Sequence, residues 1–277
     1  MLINRLFLCD VDGTLIDRDG APAPAWDRVH SLLEPTDIFA LCSSRTAAEL
    51  FTIQASLGLS GPLVAENGSL VVLGAEWWGA MAGSIERVAG KPVRVVALGS
   101  RRSQLTAMMR HVATACNLTI ETTADPHFDV NAHEGRGRLV ILDDATTRQR
   151  SLLVQVAITR RQRDMLGRVL AASSLSMVSG GRWEVVQSGS HKGIGATVLR
   201  NMLHAQQCRP QLIAIGDGAN DRPMMDVADM RFVMRRADGA VDPALADLSN
   251  IHVPEEAGPA GWDEILSVLA EQEVHHA

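Results

Sequence analysis

Short apolar runs that each end at a polar residue are the feature of this 277-residue chain that most limits its possible folds. The clearest runs span residues 6–9, 38–42 and 212–215, and are followed by Asp10, Ser43 and Gly216-Asp217. Unbroken apolar runs of this length are typical of strands buried on both faces of a parallel sheet. Because helical patterns alternate with these runs, the sequence predicts an α/β fold built on one doubly wound, Rossmann-like parallel sheet.

The middle of the chain predicts a second, smaller α/β unit. Its expected elements are strand 93–98, helix 104–115, loop 125–137, strand 151–158 and helix 161–172. We therefore predict a core formed by residues 1–77 and 188–277, with a smaller cap domain, residues 78–187, inserted into it. Arginines outnumber acidic residues over 101–168, although the whole chain carries a net charge of −6. The cap is expected to face an anionic substrate, and a solvated basic surface is the alternative.

Composition and charge exclude several classes of protein. The net charge of −6 argues against a nucleic-acid binder that relies on bulk positive charge. No apolar run is long enough to span a membrane, and the N-terminus lacks the pattern of a secretory signal. The four cysteines are far apart in sequence, so a disulfide framework or a structural zinc site is not expected. The sequence predicts a cytoplasmic protein with free thiols.

Asp10 and Asp12 lie two residues apart where the first predicted strand ends. Carboxylates this close repel each other unless a cation or a shared proton intervenes, and a hard cation such as Mg²⁺ prefers oxygen ligands. Asp10 can then attack phosphorus to form an aspartyl-phosphate, while Asp12 protonates the leaving group and later activates water. The alternative is an ordinary aspartate that caps the following turn.

Two further segments predict a phosphate site. Ser43 and Ser44 follow the second predicted strand at the start of a helix, where a hydroxyl and main-chain N–H groups can bind phosphate. Simple helix capping is the alternative for these serines. Lys192 also begins a predicted helix, and its ammonium can bind phosphate as a compact point charge. The chain contains only one other lysine, Lys91.

A glycine-rich segment, residues 216–221, follows the third buried strand. Asp217 is suited to bind a metal ion directly, while Asn220 and Asp221 begin the next helix. Asp221 is expected to hold the metal ligands in position through hydrogen bonds. The alternative is a glycine-rich loop with capping residues.

The order and placement of these four segments resemble the haloacid dehalogenase-like phosphohydrolases. The resemblance implies that Asp10 is the nucleophile and Asp12 the acid/base, and that Ser43 and Lys192 hold the phosphate. It also implies an Mg²⁺ site whose members are Asp10, the Asp12 carbonyl and Asp217, supported by Asn220 and Asp221. The inserted cap is similar to the larger α/β caps of the Cof-type, or IIB, group.

Within that group, four segments are similar to mannosyl-3-phosphoglycerate phosphatases. They are Leu41–Glu49, Val64–Gly68, Gly181–Trp183 and Gly258–Trp262. The resemblance implies an Mg²⁺-dependent phosphomonoesterase that forms mannosylglycerate, a compatible solute, and substrate-binding roles for Ser44, Arg45, Glu66 and Asn67. Asn67-Gly68 is also a strong hairpin-turn signal, which is the alternative for that segment.

Other functions stay open at this point. The enzyme alternatives are phosphatases for glucosyl-3-phosphoglycerate, sucrose phosphate or trehalose phosphate, and a phosphotransferase that uses the same motifs. A non-catalytic phosphosugar-binding regulator is a third class, although it would not need Asp10 and Asp12. Arg45, together with Arg148 and Arg150 of the cap, is expected to bind a substrate carboxylate, because a guanidinium pairs with it through two hydrogen bonds. The expected partner is a small phosphorylated sugar substrate, and the sequence identifies no particular protein partner.

Overall fold

The computed structural model describes residues 3–17, 20–75, 83–132, 137–144, 148–180 and 183–276. The strands in chain order are β1 (Arg5–Cys9), β2 (Asp37–Cys42), β3 (Leu63–Ala65), β4 (Leu70–Leu73), β5 (Ser84–Val88), β6 (Lys91–Ala97), β7 (Thr119–Thr123), β8 (Arg138–Leu142), β9 (Leu152–Ala157), β10 (Leu175–Gly180), β11 (Trp183–Ser188), β12 (Gln211–Gly216) and β13 (Met230–Val233). The helices are α1 (Trp26–Leu32), α2 (Ala47–Ser56), α3 (Arg102–Ala115), α4 (Arg160–Ala172), α5 (Lys192–Ala205), α6 (Arg222–Asp226) and α7 (Trp262–His276).

The larger sheet has the strand order β13-β12-β1-β2-β3-β4-β6-β5. Strands β13, β12, β1, β2 and β3 run parallel to one another. Cys9 at the end of β1 lies opposite Ile215 of β12 and Leu41 of β2. The polar residues that follow these three strands therefore meet at the same sheet edge, which is where open α/β sheets bind ligands.

Helices cover both faces of this sheet. On one face the ring of Phe39 lies 5.8 Å from that of Phe7, 5.9 Å from that of Trp26 in α1 and 6.1 Å from that of Trp262 in α7. On the other face α5 packs so closely that a Cβ atom on Gly195 would lie 2.5 Å from Val64 Cγ1. The prediction of a doubly wound α/β core is confirmed.

The chain forms two compact units, residues 1–96 with 192–277 and residues 97–191. These limits differ from the predicted boundaries at 77/78, which lie outside the described residues, and at 187/188. The first limit differs because strands β5 and β6 extend the larger sheet beyond β4, where Val93 and Val95 join its buried core. The second differs because β11 continues to Ser188, and the Gln187 amide then donates to the Ser190 carbonyl.

The smaller unit has a five-stranded sheet in the order β10-β11-β9-β8-β7. Helices α3 and α4 pack Leu105, Met109 and Leu166 against Leu139 and Ile141 of β8. This unit has a core of its own, separate from that of the larger sheet. Within the described residues, no helix is both long and apolar enough to cross a membrane.

The two arginines of the smaller unit that were expected to bind a substrate carboxylate have partners inside that unit. Arg148 is 5% exposed, and it donates from Nε to Asp144 Oδ2 at 2.8 Å and from a terminal nitrogen to Ser151 Oγ at 2.9 Å. Arg150 donates to the Gly99 carbonyl at 3.0 Å. These contacts stabilise the unit's own loops and do not support the predicted substrate role.

Candidate active site

Asp10 lies at the center of the larger unit's site. Its N–H continues the sheet by donating to the Ile215 carbonyl at 2.9 Å, and its side chain is almost fully buried. Lys192 Nζ lies 2.5 Å from Asp10 Oδ1 and 2.5 Å from Asp221 Oδ1. One buried ammonium thus joins the ends of β1 and the segment after β12.

Lys192 reaches this position because α5 begins very close to its neighbours. A Cβ atom on Gly193 would lie 2.1 Å from the Pro223 carbonyl oxygen, so only glycine permits this approach. The Lys192 side chain is fully buried between the two carboxylates. Their attraction raises its pKa against the opposing effect of burial, so the ammonium stays charged.

Asp221 holds the segment after β12 in place. Its Oδ2 accepts hydrogen bonds from the N–H groups of Asp217 at 3.0 Å and Gly218 at 2.9 Å, while its Oδ1 accepts from Lys192. Both oxygens of this fully buried carboxylate are therefore engaged. This geometry is that of an anchoring residue. Asn220 is half-buried beside Gly218, and its supporting role stays a prediction.

Asp10, Asp217 and Asp221 each offer an oxygen atom, and these atoms lie within 4.8 Å of one another. Burial, followed by the negative charge of Asp221, raises the pKa of Asp217 to about 7. Burial also raises the pKa of Asp10, and the Lys192 ammonium opposes this shift. When all three carboxyl groups are ionised, the single ammonium leaves excess negative charge, and an all-oxygen donor set of this kind fits a hard divalent cation.

The Asp12 carboxylate is bound by Arg45. Arg45 Nε donates to Asp12 Oδ2 at 2.8 Å, and a terminal nitrogen donates to Asp12 Oδ1 at 2.6 Å. Among the residues that the structure describes, the carboxylates brought together as candidate metal ligands do not include Asp12. Its predicted contribution to a metal site through the main-chain carbonyl stays a prediction.

The segment after β2 is fixed mainly by main-chain hydrogen bonds. Ser43 is buried, and its N–H donates to the Val64 carbonyl at 2.9 Å. Its Oγ accepts from the Arg45 N–H at 3.3 Å. Thr46 caps α2 in a reciprocal pair with Glu49, so the predicted helix start is present but Thr46 provides its side-chain cap. Ser44 is half-buried in this segment, and its substrate role stays a prediction.

Glu66 and Asn67 form the turn between β3 and β4, and both are buried. The Glu66 N–H donates to the Arg45 carbonyl at 2.9 Å, and the Asn67 N–H donates to the Ser43 carbonyl at 2.8 Å. Both residues have positive φ angles, 48° and 56°, which is costly for side chains other than glycine. The turn therefore holds the Ser43–Arg45 segment through its main chain, while side-chain contacts with substrate stay a prediction.

Two residues near the site were not predicted individually. Thr14 Oγ1 lies 3.4 Å from Asp217 Oδ1, and the Thr14 carbonyl accepts a hydrogen bond from the Trp262 indole N–H at 3.0 Å. Both are buried, so the C-terminal helix supports the turn after β1. In the sequence, the Gly258–Trp262 segment indicates a family resemblance but no contact with the turn after β1.

Replacing Gly216 by alanine tests the anchoring role of Asp221. The added Cβ atom would lie 2.5 Å from Asp221 Cγ, so the carboxylate would be displaced from Lys192. We expect Gly216→Ala to lower the free energy of unfolding by about 1–3 kcal/mol. Urea denaturation measures this change. Gly167→Ala is the matched control, because its Cβ atom would meet open space in α4. Equal stability of the two variants would contradict the close contact.

Similarity to known proteins identifies the family of this chain. A family model of haloacid dehalogenase-like hydrolases matches residues 7–81 and 155–249. The glucosyl-3-phosphoglycerate/mannosyl-3-phosphoglycerate phosphatase of Methanococcoides burtonii is 25% identical over 273 residues, which cover 96% of this chain and 97% of that protein.

Solved structures that share the fold include two phosphatases. The sucrose-phosphatase of Synechocystis sp. PCC6803, solved with sucrose and phosphate, has a TM-score of 0.57 at 11% identity, covering 96% of this chain and 98% of that one. A sugar phosphatase of haloacid dehalogenase subclass IIB has a TM-score of 0.58 at 13% identity, covering 98% of this chain and 100% of that one.

The chain belongs to the haloacid dehalogenase-like hydrolases, because the model of that family matches more than half of its length. The family resemblance seen in the sequence is confirmed. Together with the curated relative, the family match also confirms the prediction of a phosphatase enzyme.

Proposed function

We propose that this enzyme hydrolyses the phosphate monoester of a phosphorylated glycoside through an aspartyl-phosphate on Asp10. The observation that carries the proposal is the contact of Asp10 with the buried Lys192 ammonium at the carboxyl edge of the parallel sheet. A charged ammonium beside a buried carboxylate suits a site that must receive a phosphate dianion next to its nucleophile.

The chemistry proceeds in two displacements. An oxygen of Asp10 attacks phosphorus, the bond between phosphorus and the ester oxygen breaks, and Asp12 gives that oxygen a proton. Asp12 then accepts a proton from water as the water oxygen attacks phosphorus. The bond from phosphorus to Asp10 breaks, inorganic phosphate leaves, and Asp10 is regenerated. Ser43 and Lys192 hold the phosphoryl oxygens during both steps.

Mg²⁺ is the cofactor that we propose for the acidic cluster. Asp10 and Asp217 would hold it together with the Asp12 carbonyl, while Asp221 and Asn220 would support them. When bound, the ion would neutralise charge on the phosphoryl oxygens. The proximity of Asp10, Asp217 and Asp221 supports this assignment.

For the substrate we propose mannosyl-3-phosphoglycerate, hydrolysed to mannosylglycerate, with glucosyl-3-phosphoglycerate as the alternative. The support is the Methanococcoides burtonii relative, whose name includes both substrates. That relative matches almost the whole chain. Sucrose phosphate is a second alternative, supported by the fold shared with a sucrose-phosphatase. The smaller unit, residues 97–191, is proposed as the cap that selects among such esters.

A phosphate-release assay across matched esters tests this substrate. We expect the highest kcat/KM for mannosyl-3-phosphoglycerate or glucosyl-3-phosphoglycerate, and lower values for sucrose 6-phosphate, trehalose 6-phosphate and mannose 6-phosphate. A preference for a sugar phosphate without the glycerate group would contradict the proposed substrate while leaving the phosphatase chemistry intact.

Asp217→Asn tests the metal assignment. Because the variant removes one of three clustered carboxylates, we expect the Mg²⁺ concentration for half-maximal activity to rise at least about tenfold. Titration of activity with Mg²⁺ after dialysis against EDTA measures this. Asp226→Asn, at an exposed position in α6, is the control. Wild-type activity that survives EDTA, or an unchanged Mg²⁺ requirement in Asp217→Asn, would contradict the assignment.

The stability difference between Asp217→Asn and the wild type should depend on pH. The pKa of Asp217 is raised to about 7 in the folded protein from an ordinary value of 3.8, so the folded state binds the proton more tightly than the unfolded chain. Stability of the metal-free protein therefore falls as pH rises through this interval, and Asp217→Asn lacks that loss. We expect the variant's gain in Tm over wild type, both in EDTA, to be larger at about pH 8 than at about pH 5.

A further inference from the structure

The ion pair between Arg45 and Asp12 occupies both oxygens of the carboxylate that the mechanism needs as its acid/base. The two hydrogen bonds, 2.8 Å and 2.6 Å long, form the parallel, two-point contact that a guanidinium makes with a carboxylate. The two-point contact fixes the orientation of the Asp12 carboxylate, so turning one of its oxygens towards a leaving group breaks at least one of these bonds. We therefore interpret the pair as a resting arrangement that opens during catalysis.

Only the side chain of Arg45 is free to change partner. Its N–H donates to Ser43 Oγ at 3.3 Å and its carbonyl accepts from the Glu66 N–H at 2.9 Å, so its main chain is fixed on both sides. The Arg45 and Asp12 side chains are 34% and 49% exposed, so a ligand in solution can reach both. Pairs this exposed contribute little to stability, and opening this one costs the fold little.

A second carboxylate could replace Asp12 without loss of pairing at Arg45. The guanidinium also lies 3.9 Å from the carboxylate of Glu49, which is itself about half exposed. The hydrogen bonds that Arg45 donates to Asp12 raise the pKa of Arg45, so the guanidinium stays charged throughout such an exchange. A substrate carboxylate that takes the place of Asp12 would keep the guanidinium paired and release the acid/base at the same moment.

We propose that Arg45 is a substrate-operated latch: a carboxylate carried beside the phosphate of the substrate displaces Asp12 from Arg45 and thereby frees Asp12 for proton transfer. The inference rests on the proposed function, in which Asp12 is the acid/base and the substrate is a phosphate monoester that also carries a glycerate carboxylate. Under this proposal, the substrate carboxylate increases the rate of proton transfer as well as the affinity of binding. An ester without a carboxylate must open the pair with no replacement partner.

The latch predicts effects of opposite sign on two matched esters. The esters 3-phosphoglycerate and glycerol 3-phosphate share an alkyl leaving group, but only the first carries a carboxylate. We expect Arg45→Ala to lower kcat/KM for 3-phosphoglycerate about 30-fold or more, as expected when a charge pair loses one partner. The same variant should raise kcat for glycerol 3-phosphate several-fold, because Asp12 is no longer held. A purely structural role of Arg45 would lower both rates together.

Arg28→Ala is the matched control, since Arg28 forms an exposed ion pair with Asp263 in the same unit. It should change neither rate. Thermal unfolding of Arg45→Ala and Arg45→Lys shows whether the variants are folded, and Arg45→Lys should retain part of the preference for the carboxylate. Losses of equal size on both esters would overturn the latch, and so would unchanged rates on both.

Binding to a catalytically inactive background separates this inference from the proposed function. In Asp10→Asn, titration calorimetry should show 3-phosphoglycerate binding more tightly than glycerol 3-phosphate, and the added Arg45→Ala change should remove the difference. If that preference disappears but glycerol 3-phosphate turnover does not rise in Arg45→Ala, Arg45 only binds the carboxylate and the latch is wrong. If Asp10→Asn shows no preference for the carboxylate, the proposed phosphoglycerate substrate fails and the latch fails with it.

Discussion

Replacing Asp10 by asparagine should lower kcat by about 10,000-fold or more, whichever phosphate ester is used. The amide has nearly the same size but is a poor nucleophile, so the aspartyl-phosphate cannot form. Lys192 also loses one of its two carboxylate partners, but Asp221 still pairs with it. We therefore expect Asp10→Asn to remain folded, and thermal unfolding beside steady-state kinetics measures both properties.

Asp263→Asn is the control for this variant, because Asp263 is an exposed aspartate paired with Arg28. It should retain wild-type kcat. The loss in Asp10→Asn should also exceed that of a Ser43→Ala variant, since a phosphate-binding group assists the reaction while the nucleophile performs it. A kcat for Asp10→Asn within tenfold of wild type would contradict covalent catalysis at this position.

Replacing Lys192 by methionine should have the largest effect on stability. Lys192 is fully buried between Asp10 and Asp221, so its removal leaves two buried carboxylates without their shared ammonium. Breaking a buried ion pair from one side costs about 3–5 kcal/mol, and we expect a loss of this size in the metal-free protein. Urea denaturation in EDTA measures it.

A double-mutant cycle shows whether the charge itself is responsible. In an Asp221→Asn background, Lys192→Met should cost less stability, because one of the stranded carboxylates is already neutral. Added Mg²⁺ should also recover part of the loss in the single variant. An equal cost of Lys192→Met in both backgrounds would show that the lysine acts through packing alone.

The strands that carry the site could be predicted because their apolar character is continuous. Residues 6–9 and 212–215 are buried on both faces, so each run is uninterrupted and its end is marked by the first polar residue. Asp10 and Asp217 then follow from the strand ends, since parallel strands bring those ends to one edge. The turn at Asn67-Gly68 was likewise visible as a hairpin signal and joins β3 to β4.

Other elements gave weaker signals. Strand β5 is an edge strand with mixed polar and apolar residues, and its Ile85 is 60% exposed, so no buried run marked it. Strand β8 does have a buried apolar run, but it follows directly on the polar, glycine-rich residues 125–137, which were predicted as loop. The hairpin of β5 and β6 belongs to the larger sheet, so the larger unit extends to residue 96. The pairing of a hairpin with a sheet edge formed by distant residues leaves no pattern in the local sequence.

The contacts within the site could not be predicted from residue types. Arg45 and Asp12 are 33 residues apart, and the sequence placed both near the phosphate without indicating that they pair. Lys192 was predicted to bind phosphate, yet its pairing with Asp10 and Asp221 depends on how closely α5 approaches α6. Such contacts are determined by packing between elements, which short motifs do not record.

Chemical trapping of the intermediate tests the central claim most directly. Asp12→Asn should form the aspartyl-phosphate from 4-nitrophenyl phosphate, whose leaving group needs no proton, but should hydrolyse it slowly because the base is missing. After an acid quench and borohydride reduction, mass spectrometry of the peptide that contains residue 10 should show homoserine at that position, and Asp10→Asn should show none. Steady turnover with residue 10 unmodified, or a phosphoryl group trapped on another side chain, would contradict the assignment of Asp10 as nucleophile.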